Sequence, residues 1–121
     1  MLSRADQQRI KKAIKVAAKS RHHKIRVGAV VAVAGRLSVS PNIPRNDARI
    51  CWQHASVHAE EAALAGAYRN GDGGVVYVAR IGQSGRVLPS FPCDRCVPVL
   101  KEAGVRRIVW FDGQIWTASR L

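Results

Sequence analysis

Apolar residues recur along the first segment at helical spacing. Ile10, Ala13, Ile14, Ala17 and Ala18 fall on one stripe of a helix running from Ser3 to about Ser20. Ser3 with Asp6 three places on forms a variant capping box at its start. From Arg26 to Ala34 the pattern changes to small and β-branched residues (Val27, Val30, Val31, Val33), which predicts a buried strand. Gly35 then turns the chain, and Leu37 to Ser40 returns antiparallel. Two prolines, two asparagines and mixed charge make Pro41 to Ser56 a loop, long enough to be functional. The alanine-rich stretch from about Val57 to Asn70 predicts a second helix, closed by Gly71. Val75 to Ile81 reads as a central strand and Gly82 to Phe91 as a loop. A third helix is expected to open at Pro92 and end at Gly104. Arg107 to Phe111 forms a further strand, and Asp112-Gly113 is a turn signal before Ile115 and Trp116.

The order α-β-β-α-β-α-β predicts one domain over residues 1–121. Its expected form is a three-layer α/β/α sandwich around a mixed sheet of about five strands. A chain of 121 residues can bury a core without staples. No stretch approaches the ~20 apolar residues of a membrane span. The opening Met1-Leu2-Ser3-Arg4-Ala5-Asp6 lacks the apolar run of a secretory signal, so a cytoplasmic location and no membrane association are expected.

Two short motifs change this picture from architecture to chemistry. His58-Ala59-Glu60 and Pro92-Cys93-Asp94-Arg95-Cys96 both fall where helices are expected to begin. Cysteines three apart in a first helical turn point the same way, so both thiolates reach one ion. The positive end of the helix favours the ionised, ligating thiol. A histidine opening a neighbouring helix supplies a third donor. One nitrogen and two thiolates leave the fourth position of a tetrahedral zinc for water, whose pKa falls to about 7 there. Glu60 stands beside the metal without being needed as a ligand, as a general acid/base must. Taken alone, Cys93 and Cys96 also fit a redox pair or half of a structural zinc site. With His54 and His58 they would make a closed Cys2His2 centre, and the chain would be a basic, non-catalytic zinc module binding nucleic acid. The remaining thiol, Cys51, has no assigned role.

His-x-Glu followed by Pro-Cys-x-x-Cys is the signature of zinc nucleobase deaminases. The chain resembles the cytidine/deoxycytidylate deaminase superfamily over nearly its whole length. Val27-Gly28-Ala29-Val30-Val31, Asn42, both zinc motifs and Ala103-Gly104-Val105-Arg106-Arg107-Ile108-Val109 carry the likeness. The resemblance implies a cytidine deaminase-like fold, Zn2+ as cofactor, His58, Cys93 and Cys96 as its ligands, and Glu60 as proton shuttle. It also implies that Asn42 contacts the sugar, that the Ala59 backbone touches the base, and that the protein self-associates as a homo-oligomer. Ser90-Phe91-Pro92-Cys93 and Asn42-Ile43-Pro44-Arg45 look like the deoxycytidylate branch. An antiparallel return over Ile115 to Ser119 looks like the free-nucleoside branch. The Cys-Gly-x-Cys-Arg-Gln run of nucleoside deaminases is missing here.

Charge bears on the substrate. The chain carries a net +12, and nine basic residues against Asp6 alone precede residue 27, which accounts for eight of those twelve charges. Such a surface attracts phosphate-bearing partners. Arg45 and Arg49 in the long loop are candidates to clamp a phosphate, while Trp52 and Phe91, which flank the motifs, are candidates to stack on a base. The expected activity is hydrolytic deamination of cytosine to uracil in a free (deoxy)cytidine nucleoside or nucleotide. The alternative is a cytosine deaminase acting on single-stranded DNA or RNA, with salt-dependent binding as its mark.

Overall fold

The computed structural model of the chain describes residues 2–21, 25–44 and 56–121. Helix α1 spans Arg4–Ala17, and both bonds of its capping box form. The Asp6 amide donates to Ser3 Oγ at 3.0 Å, and the Ser3 amide donates to Asp6 Oδ2 at 2.9 Å. Its buried stripe is Asp6, Ile10, Ala13, Val16 and Ala17. Ala18, expected on that stripe, is exposed instead. The helix has already closed there, because the amides of Lys19 and Ser20 fold back on the carbonyls of Val16 and Ala17.

Strands β1 (Arg26–Val33) and β2 (Arg36–Pro41) form a hairpin whose two turn residues, Ala34 and Gly35, both take positive φ. That backbone suits the right-handed twist of the flanking strands. Strand β5 (Val75–Ile81) lies antiparallel to β1 on its other side. Strand β7 (Arg107–Phe111) is parallel to β5, and β8 (Trp116–Arg120) returns antiparallel to β7. The sheet order is β2-β1-β5-β7-β8, and the short β6 (Val87–Leu88) adds a sixth strand on the end of β5. β6 falls in a stretch expected as loop, and two paired residues are too few to show a period in sequence. The same holds for β3 (Ile43–Pro44) and β4 (Ser56–Val57), a two-residue ladder at the ends of the long loop.

Alternate residues of each strand serve opposite faces, as the pleat requires. Val30, Ala32, Tyr77, Ala79 and Val109 pack with Ile10, Ala13 and Ala17 of α1. Ala29, Val31, Val76, Val78 and Ile108 pack with α2 (Ala59–Ala65) and α3 (Cys96–Glu102). The three layers are therefore α1, the sheet, and α2 with α3. Gly28 sets the approach of the first layer. A Cβ built there would lie 2.2 Å from the Ala13 carbonyl oxygen, so α1 rests backbone-to-backbone on β1.

Two helix boundaries differ from expectation. Helix α2 stops at Ala65, and a separate 3-10 turn, Tyr68–Gly71, carries Arg69 and Asn70 in left-handed conformation. Helix α3 begins at Cys96 and not at Pro92, with Arg95 as its N-cap. Pro98 then sits in the first turn, where its missing N–H costs no helical bond. Among the described residues no helix is long and apolar enough to cross a membrane.

Candidate active site

His58 is the extended N-cap residue of α2, and its ring is directed toward the start of α3. Its Nδ1 lies 2.9 Å from Cys96 Sγ and 3.2 Å from Cys93 Sγ. The late start of α3 makes this possible. Cys93 precedes the helix, and its carbonyl accepts from the amides of Cys96 and Val97 at 3.0 and 3.1 Å. The resulting tight turn folds the two sulfurs toward one point. The donor atoms of His58, Cys93 and Cys96 all lie within 4.8 Å of one another.

This donor set fits zinc. Two sulfurs and an imidazole nitrogen are the soft-to-borderline ligands that zinc selects, and three protein donors leave a position open. Burial first, and then the charges of Glu60 and Cys93, push the Cys96 thiol well above its ordinary pKa. A bound cation reverses that balance and holds the sulfur as thiolate.

Glu60 opens the first turn of α2 and is buried. Burial raises its carboxyl pKa, against the opposing effect of hydrogen bonds to its own backbone amide and to Cys96, while the charge of Glu61 adds to the rise. Glu61 itself faces outward and pairs with Arg95 at 2.9 Å, linking the two ligand-bearing segments across the surface. That exposed pair adds little to stability.

The cluster forms one wall of a cavity with about 580 Å³ of empty space, counting its open mouth. Ala59, Asn42, Phe91, Ser90, Val27, Val78 and Arg80 line it together with His58, Glu60 and Cys93. Asn42 is buried, and most of its amide is spent on backbone support. Its Oδ1 accepts from Ser20 Oγ and from the Val27 amide, and its Nδ2 donates to the Ile25 carbonyl. One Nδ2 hydrogen is left for the cavity. Phe91 is 49% exposed and meets Trp110 edge-on at 4.9 Å. Arg45, Arg49, Cys51, Trp52 and His54 lie outside the described residues, as do His22 and His23.

Arg80 was not singled out from the sequence, and Ser90 entered only as part of the Ser90-Phe91-Pro92-Cys93 likeness, with no role of its own. Ser90 is buried, donates to the Val78 carbonyl at 2.7 Å and accepts from the Phe111 amide at 2.9 Å. It thereby pins the segment before Cys93 to two strands. A serine in a polar loop carries no signal of that kind. Arg80 does carry one, as the single charge in the otherwise apolar run Val75-Val76-Tyr77-Val78-Ala79-Arg80-Ile81.

A family model, the cytidine and deoxycytidylate deaminase zinc-binding region, matches residues 3–112. Among solved structures, the cytidine deaminase of Mycobacterium tuberculosis is 26% identical, with a TM-score of 0.57 over 85% of this chain and 80% of that one. The cytidine deaminase of Burkholderia pseudomallei is 20% identical, with a TM-score of 0.71 over 98% and 93%. The dCMP deaminase of cyanophage S-TIM5 is 22% identical, with a TM-score of 0.65 over 89% and 82%. At those lower identities the last two speak to the fold alone. Among curated protein sequences, none matches the chain significantly.

Proposed function

The chain belongs to the cytidine and deoxycytidylate deaminase family of zinc-dependent hydrolases, and from that premise we propose that it deaminates cytosine in a free (deoxy)cytidine nucleoside or nucleotide. Water replaces the exocyclic amine, giving uracil and ammonia. The observation that carries this reading is the placement of buried Glu60 next to a His58–Cys93–Cys96 cluster that opens onto a cavity.

His58, Cys93 and Cys96 would hold the zinc, which when bound supplies a Lewis acid and an activated water. Glu60, left free of ligation, takes the two protons of the attacking water in turn, passing one to the ring nitrogen and the other to the departing amine. The Ala59 backbone lines the floor beside it and is the proposed contact for the base. Asn42 offers its remaining N–H to the sugar, and Phe91 at the mouth covers the base. Arg45 is carried in this reading as a loop contact to the substrate. A cytoplasmic location and a homo-oligomeric state go with it as expectations.

The single-strand reading draws on the net charge of +12. However, Lys11, Lys12 and Lys15 are exposed on α1, across the sheet from the cavity, with Lys19 exposed just past its end. A strand following that basic face would not be led to Glu60. The free-substrate reading is therefore preferred.

The test is ammonia release by zinc-loaded protein on cytidine, deoxycytidine, their monophosphates and a cytosine-bearing oligonucleotide. Turnover of a monomer, reduced by about 10³-fold in Glu60→Ala with zinc retained, supports the proposal. Turnover confined to the oligonucleotide replaces it with the single-strand reading.

A further inference from the structure

Arg80 stands at the carboxyl end of β5, paired across the sheet with Val27 of β1 and Leu88 of β6. Strand alternation puts its side chain on the same face as Val76 and Val78, the face that packs under α2 and α3. Val78 and Arg80 both line the cavity, with Arg80 one pleat, about 7 Å, further along the strand.

The guanidinium is unusual in its surroundings. Its Nε is buried and makes no hydrogen bond among the described residues. The described ion pairs engage other cations: Glu61 holds Arg95, and Asp6 holds Arg107. Among the described ion pairs none joins Arg80 to Glu60. Arg80 as a whole is half-buried, but its buried Nε–H lacks an acceptor, and a buried donor left without one is costly. An oxyanion entering the cavity supplies that acceptor, and a phosphate matches the planar fork with two parallel hydrogen bonds.

We propose that Arg80 is the specificity residue of this cavity, receiving the phosphate carried on the sugar of the cytosine substrate and so selecting the phosphate ester over the bare nucleoside. The proposal rests on the cytosine reading above and narrows its substrate class. Two sources present the same chemistry: a free 5'-monophosphate and the phosphodiester of a single strand.

Binding is measured by calorimetry on zinc-loaded protein carrying Glu60→Gln, so that ligands are not consumed. The ligands are cytidine, cytidine and deoxycytidine 5'-monophosphates, and a short cytosine-bearing oligodeoxynucleotide. With Arg80 present, the monophosphates bind more tightly than cytidine. Arg80→Gln reduces that preference by about 30-fold, the scale of charge-assisted hydrogen bonds, and Arg80→Lys restores part of it. Tighter binding of the monophosphates than of the oligonucleotide assigns the free nucleotide as the source, and the reverse order assigns the strand. Equal affinity for cytidine and its monophosphate with Arg80 intact overturns the proposal. So does an equal loss for both ligands in Arg80→Gln, which marks a structural role. Ammonia release with Glu60 intact is read separately. Phosphate-selective binding without turnover removes the deaminase reading and keeps the role of Arg80. Turnover of cytidine without phosphate selectivity does the opposite.

Discussion

Asp6 and Glu60 are each 4% exposed, on opposite faces of one sheet, and their pKa values move in opposite directions. Burial pushes the Asp6 carboxyl up, but hydrogen bonds from Tyr77 Oη and from the Ser3 amide and hydroxyl, with the charge of Arg107, together bring it below its ordinary value. Around Glu60 burial wins, because among the described residues the compensating bonds come from its own amide and a cysteine. Burial on the two faces thus has opposite outcomes, lowering the Asp6 pKa on the α1 face and raising that of Glu60 on the α2/α3 face. Among the described residues, the buried polar side-chain atoms of the α1 face all have hydrogen-bond partners. The other face leaves Glu60, the three donors and Arg80 with chemistry still to do.

The largest effect that would sharpen this contrast comes from Cys96→Ala. Zinc content per chain should fall close to zero and deaminase turnover should vanish. Full zinc occupancy in the variant would show that the cluster is not the metal centre. On the opposite face, Gly28→Ala should cost about 3 kcal/mol in chemical denaturation, because the added methyl meets α1 backbone and the helix must move. An unchanged midpoint would mean that the helix rides more loosely than the packing indicates. Tyr77→Phe should cost about 1–2 kcal/mol, since it takes one donor from a buried carboxylate, while zinc content stays at the wild-type level. The smallest effect is a pH dependence. Asp6 has a lowered folded-state pKa, so its contribution is complete above about pH 4 and is lost as pH falls through the folded value. Denaturation at pH 7, 5 and 3 should show the gap between wild type and Tyr77→Phe narrowing at the acid end. A gap that stays constant would mean that the phenol does not favour the carboxylate form.

What could be read in advance follows the range of the interaction. The Ser3–Asp6 capping box spans three residues, and both of its bonds form as the spacing indicates. The β1–β2 hairpin is equally local, with its turn at Gly35. His58, Cys93 and Cys96 were legible because metal ligation imposes residue types as well as spacing, and the structure brings all three together. The start of α3 was misplaced because Pro92 satisfies the rule for a first helical residue. The tight turn at Cys93, closed by the amides of Cys96 and Val97, decides the matter and has no distinct residue signal. Ala18 fits the helical stripe by spacing but lies past the last turn, and no local signal marks that end. The second role of Asp6, as acceptor for Tyr77 and Arg107, joins residues 71 and 101 positions away and leaves no trace along the chain.

The hydroxyl of Ser20 donates to Asn42 just beyond the end of α1, and Asn42 in turn braces Val27 at the cavity. The chain leaving the helix seated on Gly28 is therefore tied through Asn42 to the cavity wall. Substitutions remote from the metal, along the α1 seam, would retune the width of the pocket without touching a reacting atom. A laboratory evolution campaign for altered substrates would do well to randomise Ser20 and the last turn of α1 before the metal motifs.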